Sequence, residues 1–104
     1  MHISSANRSI LDNIKDSEFN VERLAEEMCM SRSSLHRKIK EVSGLTPVEF
    51  MRLIKLKKAA ELIRQKGYRT TEVCEMIGIT SPSYFIKLFQ KQFGMTPKEF
   101  TNQK

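Results

Sequence analysis

The sequence predicts an all-α fold: two helix-turn-helix subdomains joined by a long connector helix, about seven helices in all. Three observations predict it. Strict apolar/polar alternation is absent and apolar residues recur with the helical period almost throughout. One phrase occurs twice, GLTPVEF at 44–50 and GMTPKEF at 94–100, with five of seven positions identical. Between the copies, residues 46–66 carry apolar side chains over more than one stripe, which suits a helix buried from more than one side.

The elements follow in order. Ile10, Leu11 and Ile14 give a first helix over 5–16, broken by DSEF. Asn20 caps VERLAEEM, with Val21, Leu24, Ala25 and Met28 on one side, and CMS is a tight turn. Ser31 caps a third helix over 32–43, with Leu35, Ile39 and Val42 inward, and Gly44 stops it. Thr46 then caps, Pro47 fills the first helical position and Glu49 completes a capping box. That fourth helix runs to about Lys66, before Gly67. Thr70 caps a fifth, TEVCEMI, and Gly78 turns the chain. Ser81-Pro82 opens a sixth over 82–93, with Phe85, Leu88, Phe89 and Phe93 inward; Gly94 ends it, and Thr96-Pro97-Lys98-Glu99 opens a seventh. The implied domains are 1–45, a connector over 46–66, and 67–104.

The repeat is deeper than one phrase. LAEEMCMS at 24–31 aligns with VCEMIGIT at 73–80 at an offset of 49, and downstream Leu35, Ile39 and Gly44 match Phe85, Phe89 and Gly94 at an offset of 50. One residue is therefore added in the second turn. Each copy has the form in which a second helix can lie in a DNA major groove. With Leu35, Ile39 and Val42 set inward, Ser33, Arg37 and Lys40 point outward and His36 lies on the flank. In the second copy the outward set is Ser83, Lys87, Gln90 and Lys91, with Tyr84 on the flank. Hydroxyls and cations, with no acid there until Glu41, suit phosphate and base-edge contact, although many helix pairs bind no nucleic acid. A connector of roughly 19 residues spans about 28 Å, which with its turns approaches the roughly 34 Å of one DNA turn.

Charge points the same way. Net charge is +6, but residues 32–69 hold eleven basic and three acidic side chains while residues 1–31 hold three basic and six acidic. A basic middle suggests a polyanionic partner, or a solvated face with none. Further phosphate candidates are Arg32, Lys38 and Lys91, and on the connector Arg52 and Lys55, which with Lys58 form a basic rail. Nothing reads as a membrane span or signal peptide, so no membrane contact and a cytoplasmic location are expected. Cys29 and Cys74 lack metal-ligand spacing and read as reduced, buried thiols. No cofactor or metal is expected. His2 and His36 have no acid or thiol at dyad spacing, and no Walker-type loop is present, so an enzyme is disfavoured. A protein-interaction module stays open.

The segment SPSYFIKLFQKQFGMTPKEF, with the connector FMRLIKLKKAAELI, resembles the DNA-binding domain of the AraC/XylS family of bacterial transcription regulators over residues 6–101. EVCEMIGITSPSYF is further similar to the carboxy-terminal domains of hybrid two-component sensors of gut Bacteroidetes. The resemblance implies sequence-specific binding of double-stranded DNA for transcription regulation, with helices 32–43 and 82–93 in successive major grooves. It places family contacts on Ser33, His36, Arg37, Lys40, Ser83, Tyr84, Lys87 and Gln90. It also implies RNA polymerase as a partner, and a sensor or receiver domain outside these residues. One departure is Cys29, where the family commonly has Gly in the turn; a positive φ there would strain the backbone by about 1 kcal/mol.

Overall fold

The computed structural model describes residues 2–65 and 67–102. Among them are seven α-helices and no strand: α1 (Ile3–Asp12), α2 (Val21–Glu27), α3 (Arg32–Ser43), α4 (Pro47–Arg64), α5 (Thr70–Met76), α6 (Pro82–Phe93) and α7 (Pro97–Thr101). None of their helices is long and apolar enough to cross a membrane. The chain divides into two compact units, residues 1–14 with 18–54, and residues 15–17 with 55–104.

In the first unit, α1 packs on α2 and α2 on α3. The core gathers Ala6 and Ile10 of α1, Leu24 and Ala25 of α2, Leu35 and Ile39 of α3, and Phe50, Met51 and Ile54 from the start of α4. A polar clasp adds to the α1–α2 contact: buried Ser9 donates its hydroxyl to the Glu27 carboxylate, and Asn13 Nδ2 donates to both Glu27 oxygens at 3.2 Å. The same Asn13 ends α1 earlier than its apolar spacing predicts. Its amide side chain bonds the Ser9 carbonyl at 2.8 Å beside its own backbone N–H at 3.2 Å, its φ of −110° departs from the helical value, and the helix stops at Asp12 rather than 16.

In the second unit, α5 packs on α6 and α6 on α7. Its buried side chains include Leu56, Ala59, Leu62 and Ile63 from the later part of α4, Val73 and Ile77, and Phe85 and Phe89. Phe89 stacks edge-on against Phe85 at 5.7 Å and Phe100 at 5.4 Å between centroids, so α6 and α7 meet through aromatic edges. The wide apolar arc expected of the connector is present: buried residues in its first half serve one core and those in its second half the other. Helix α4 stops at Arg64, and the expected end at Lys66 lies outside the described residues.

The repeated phrase builds the same local structure twice. Gly44 and Gly94 both have φ 77° and both donate N–H to the carbonyl four residues back at 2.8 Å. After each, a full capping box closes. The Thr46 and Thr96 N–H groups donate to Glu49 and Glu99 Oε1 at 2.9 Å, and their hydroxyls accept from the Glu49 and Glu99 N–H.

Three further expectations are corrected. Arg69, not Thr70, is the N-cap of α5; its N–H donates to Glu72 Oε1 at 2.8 Å, and its guanidinium has no acceptor to return a bond. Val42 is 53% exposed rather than inward, because the core stripe of α3 continues by fours, from Leu35 and Ile39 to the partly buried Ser43. Cys29 is exposed, whereas Cys74 is buried as expected; both are free thiols.

Candidate nucleic-acid interface

Each turn between paired helices is closed by one bond pattern. The Met30 N–H reaches the Ala25 carbonyl at 2.9 Å, and the Ile79 N–H reaches the Cys74 carbonyl at 3.0 Å, the long bond that follows a left-handed residue at a helix end. Cys29 (φ 56°) and Gly78 (φ 71°) supply that conformation. One residue, Met30, then separates Cys29 from the N-cap Ser31, whereas Ile79 and Thr80 separate Gly78 from the N-cap Ser81. The extra residue inferred from the two offsets sits there.

The second helix of each pair starts in the same way. Ser31 accepts the Ser34 N–H at 3.1 Å, and Ser81 accepts the Tyr84 N–H at 3.2 Å. No acidic side chain stands in the first turn of α3 or α6, so the positive end of each helix dipole is left uncompensated. Leu35, Ile39, Phe85 and Phe89 are fully buried and fix the rotation of each helix about its axis.

That rotation places the eight family-contact candidates of the two helices in solvent. Ser33, His36, Arg37 and Lys40 are exposed on α3, and Ser83, Tyr84, Lys87 and Gln90 on α6. Arg37 and Lys87 lie about 180° from the mean direction of their helices' buried pairs. Lys91 is exposed and Lys38 half-buried. Exposed Arg32 stands 3.5 Å from exposed Glu22, a contact weak enough to be exchanged for another anion.

The connector rail is less open than its spacing predicts. Arg52, Lys55 and Lys58 are all half-buried. Burial pushes the Lys55 ammonium below its usual range, with Asp16 acting against the shift. Lys58 is 3.5 Å from Glu61. Among the described residues, no group of His, Cys, Asp and Glu could hold a metal ion.

The sequence reading missed one feature beside these helices. Val42 and Val48 are exposed at the junction of α3 and α4. Apolar letters at core-compatible spacing hid it; the polar Gln92 and Lys98 at the matching positions of the second copy were the available signal.

Residues 24–103 match the family described as helix-turn-helix domain. The chain is 35% identical over 101 residues to histidine kinase P4 of Formosa agariphila, which covers 97% of this chain and 7% of that protein. It is 30% identical over 82 residues to the HTH-type transcriptional activator RhaS of Escherichia coli strain SE11, covering 79% of this chain and 30% of the activator. Among solved structures, a DNA-binding transcriptional dual regulator of Escherichia coli K-12 superposes with a TM-score of 0.82 at 28% identity, over 97% of this chain and 90% of that one. The chain thus spans less than a third of either curated relative.

Proposed function

The chain belongs to the helix-turn-helix domain family, in its AraC/XylS type, and on that premise we propose that it binds double-stranded DNA sequence-specifically to control transcription. The family is one of transcription regulators, not of enzymes. The observation that carries the reading is the duplicated helix whose outward face holds an exposed serine near its start and an exposed cation one turn on, Ser33 with Arg37 and Ser83 with Lys87, and no acid before Glu41.

Roles follow from side-chain chemistry. Arg37, Lys40 and Lys87 neutralise phosphates, with Arg32, Lys38, Lys91 and Arg52 as further candidates and Lys55 the least available of them. Ser33, His36, Ser83, Tyr84 and Gln90, nearer the helix starts or flanks, are suited to base edges and sugar–phosphate oxygens. The first helix is the more cationic, with Arg37 and Lys40 where the second has Lys87 and Gln90, so it carries more of the salt-sensitive binding. The domains 1–45 and 67–104 each place one helix, 32–43 and 82–93, in successive major grooves, with 46–66 as the spacer. The rise of an 18-residue α4, about 27 Å, supports that spacing.

The match to a small part of a much longer histidine kinase supports a wider reading. This segment is the output domain of a longer two-component regulator, with a sensor or receiver domain elsewhere on the polypeptide, a cytoplasmic location and contact with RNA polymerase.

Selection from a random duplex pool followed by salt titration tests the proposal. The expected result is a two-block site with centres about 10 base pairs apart. Arg37→Ala should weaken binding and lower the slope of log K against log salt by about one. No salt-dependent retardation of any duplex would point instead to a protein adaptor; unchanged affinity and slope in the variant would remove Arg37 from the interface.

A further inference from the structure

The two units can be compared position by position where the first helix of each pair begins. Helices α2 and α5 start at 21 and 70 with N-caps Asn20 and Arg69, so the offset of 49 holds there; α4 and α7 start at 47 and 97, at the offset of 50. In the first unit Phe19, Val21 and Met51 belong to the core, and Phe19 is 5% exposed. The matching residues of the second unit are Tyr68, Thr70 and Thr101. Each apolar side chain is thus replaced by one with a hydroxyl, and Tyr68 is 42% exposed. These three residues line a cavity of about 240 Å³ within the second unit.

The fold does not require that cavity. On the same helix starts the first unit fills the matching place with core side chains, and apolar burial there favours folding. The floor of the cavity is buried Ile63, Val73 and Pro97, one each from α4, α5 and α7. Its rim holds exposed Arg69 and Lys98. Thr101 commits its hydroxyl proton to the Pro97 carbonyl at 2.9 Å. The Tyr68 phenol, the Arg69 guanidinium and the Lys98 ammonium are committed to no partner among the described residues. No lining residue is acidic. Glu72 and Glu99, the carboxylates nearest the two cations in sequence, accept the Arg69 and Thr96 N–H groups in their capping boxes. They offset part of the cations' long-range charge, so selection falls to the donors within direct reach.

We propose that this cavity binds a small organic carboxylate with a compact apolar body. The body rests on Ile63, Val73 and Pro97, and the carboxylate takes hydrogen bonds from Arg69, Lys98 and the Tyr68 phenol. An inorganic anion would leave the apolar floor uncovered. Since a benzene ring fits an apolar cavity of roughly 150 Å³, a six-membered ring with one carboxylate fits here. Bound, such a ligand bridges α4, α5 and α7 and stabilises the second unit. The inference goes beyond the DNA-binding reading and does not rest on it.

The test titrates the 104-residue protein with cyclohexanecarboxylate, the neutral isostere cyclohexanecarboxamide and the cation cyclohexylmethylamine, followed by amide chemical shifts. The carboxylate should move signals from 68–73 and 97–102 saturably and leave the matching 19–24 and 47–52 in place. It should bind about tenfold more tightly than the amide or the amine. Thr70→Val with Thr101→Met copies side chains that the first unit already carries at these positions, so it should fold and lose the response. Arg69→Asn with Lys98→Gln should bring the carboxylate down to the level of the amide and leave amide binding unchanged. Signals that stay in place, equal affinity for the three ligands, or a response that survives the filling variant would overturn the proposal. So would inorganic phosphate moving the same signals with the same affinity, since the apolar floor would then select nothing.

Discussion

At Cys29 a side chain occupies backbone that its counterpart leaves to glycine. Its φ of 56° is close to the 71° of Gly78, and the turn after each makes the same long backbone bond. A Cβ in the left-handed region costs about 1 kcal/mol or somewhat more, partly offset by the unfolded-state entropy that glycine would bring. Cys29→Gly should therefore raise the urea midpoint by an amount worth up to about 1 kcal/mol, with the slope unchanged. The same residue gives a second expectation. Cys29 is exposed, whereas Cys74 is shut away and burial raises its thiol above the usual range. A thiol reagent should thus titrate one cysteine in the native protein and the second only on unfolding; two rapid native equivalents would contradict the burial of Cys74. The sequence revealed the turn and the need for positive φ, because a repeat shows which position glycine takes. It did not reveal that Cys29 faces solvent, since a cysteine flanked by two methionines in a tight turn has the letters of a core. Outward faces were easier: Leu35 with Ile39, and Phe85 with Phe89, fix the helix rotation, and every residue opposite them follows. Which of those side chains meets a base and which a phosphate depends on the duplex, so periodicity alone does not assign them.

Helix starts were the most legible elements, because a cap is written within four consecutive residues. Thr46-Pro47-Val48-Glu49 and Thr96-Pro97-Lys98-Glu99 both form complete boxes. Ends decided by distant contacts were less so. Asn13, the C-cap of α1, is held by its own amide and by a carboxylate on α2, a pairing that no local rule contains. Val42 lies exposed because the stripe of α3 advances by fours to Ser43, whose hydroxyl donates to the Ile39 carbonyl at 2.6 Å and accepts the Leu45 N–H at 3.1 Å. The boxes carry a pH dependence. The bond from the Thr46 N–H first, and the Thr46 side chain second, hold the Glu49 carboxyl below its ordinary 4.5; Thr96 does the same for Glu99. A carboxyl lowered in the folded state binds its proton more readily when unfolded. Its contribution is complete above the ordinary value and is lost as pH falls through the folded one. Urea midpoints should accordingly drop as pH is taken from 5 toward 3. Glu49→Gln with Glu99→Gln should flatten that drop while keeping an acceptor for each threonine N–H. A double variant with the full acid sensitivity of the parent would place its origin elsewhere among the carboxylates.

Over the whole molecule, composition and patterning agree on a basic centre built around one continuous helix. Eleven of the eighteen cations fall within residues 32–69, and α4 runs unbroken through the middle of that stretch. Its side chains are shared out cleanly: Phe50, Met51 and Ile54 enter the first core, while Leu56 and the apolar residues after it are buried in the second unit. The join between Ile54 and Lys55 is therefore a place where residues can be inserted with each core keeping its own members. Two alanines there extend a helix by about 3 Å and turn everything downstream by about 200°. If both helix pairs read one duplex at once, as proposed, that rotation should abolish high affinity for the two-block site. Binding should fall to the weak, salt-sensitive level of a single motif, because the second motif no longer adds its effective concentration. Helical content by circular dichroism and cooperative unfolding should survive, since neither core loses a residue. A protein that binds by one motif alone would tolerate the insertion with its affinity intact, and that outcome would remove the spacer role from α4 and leave it as the element that completes two cores.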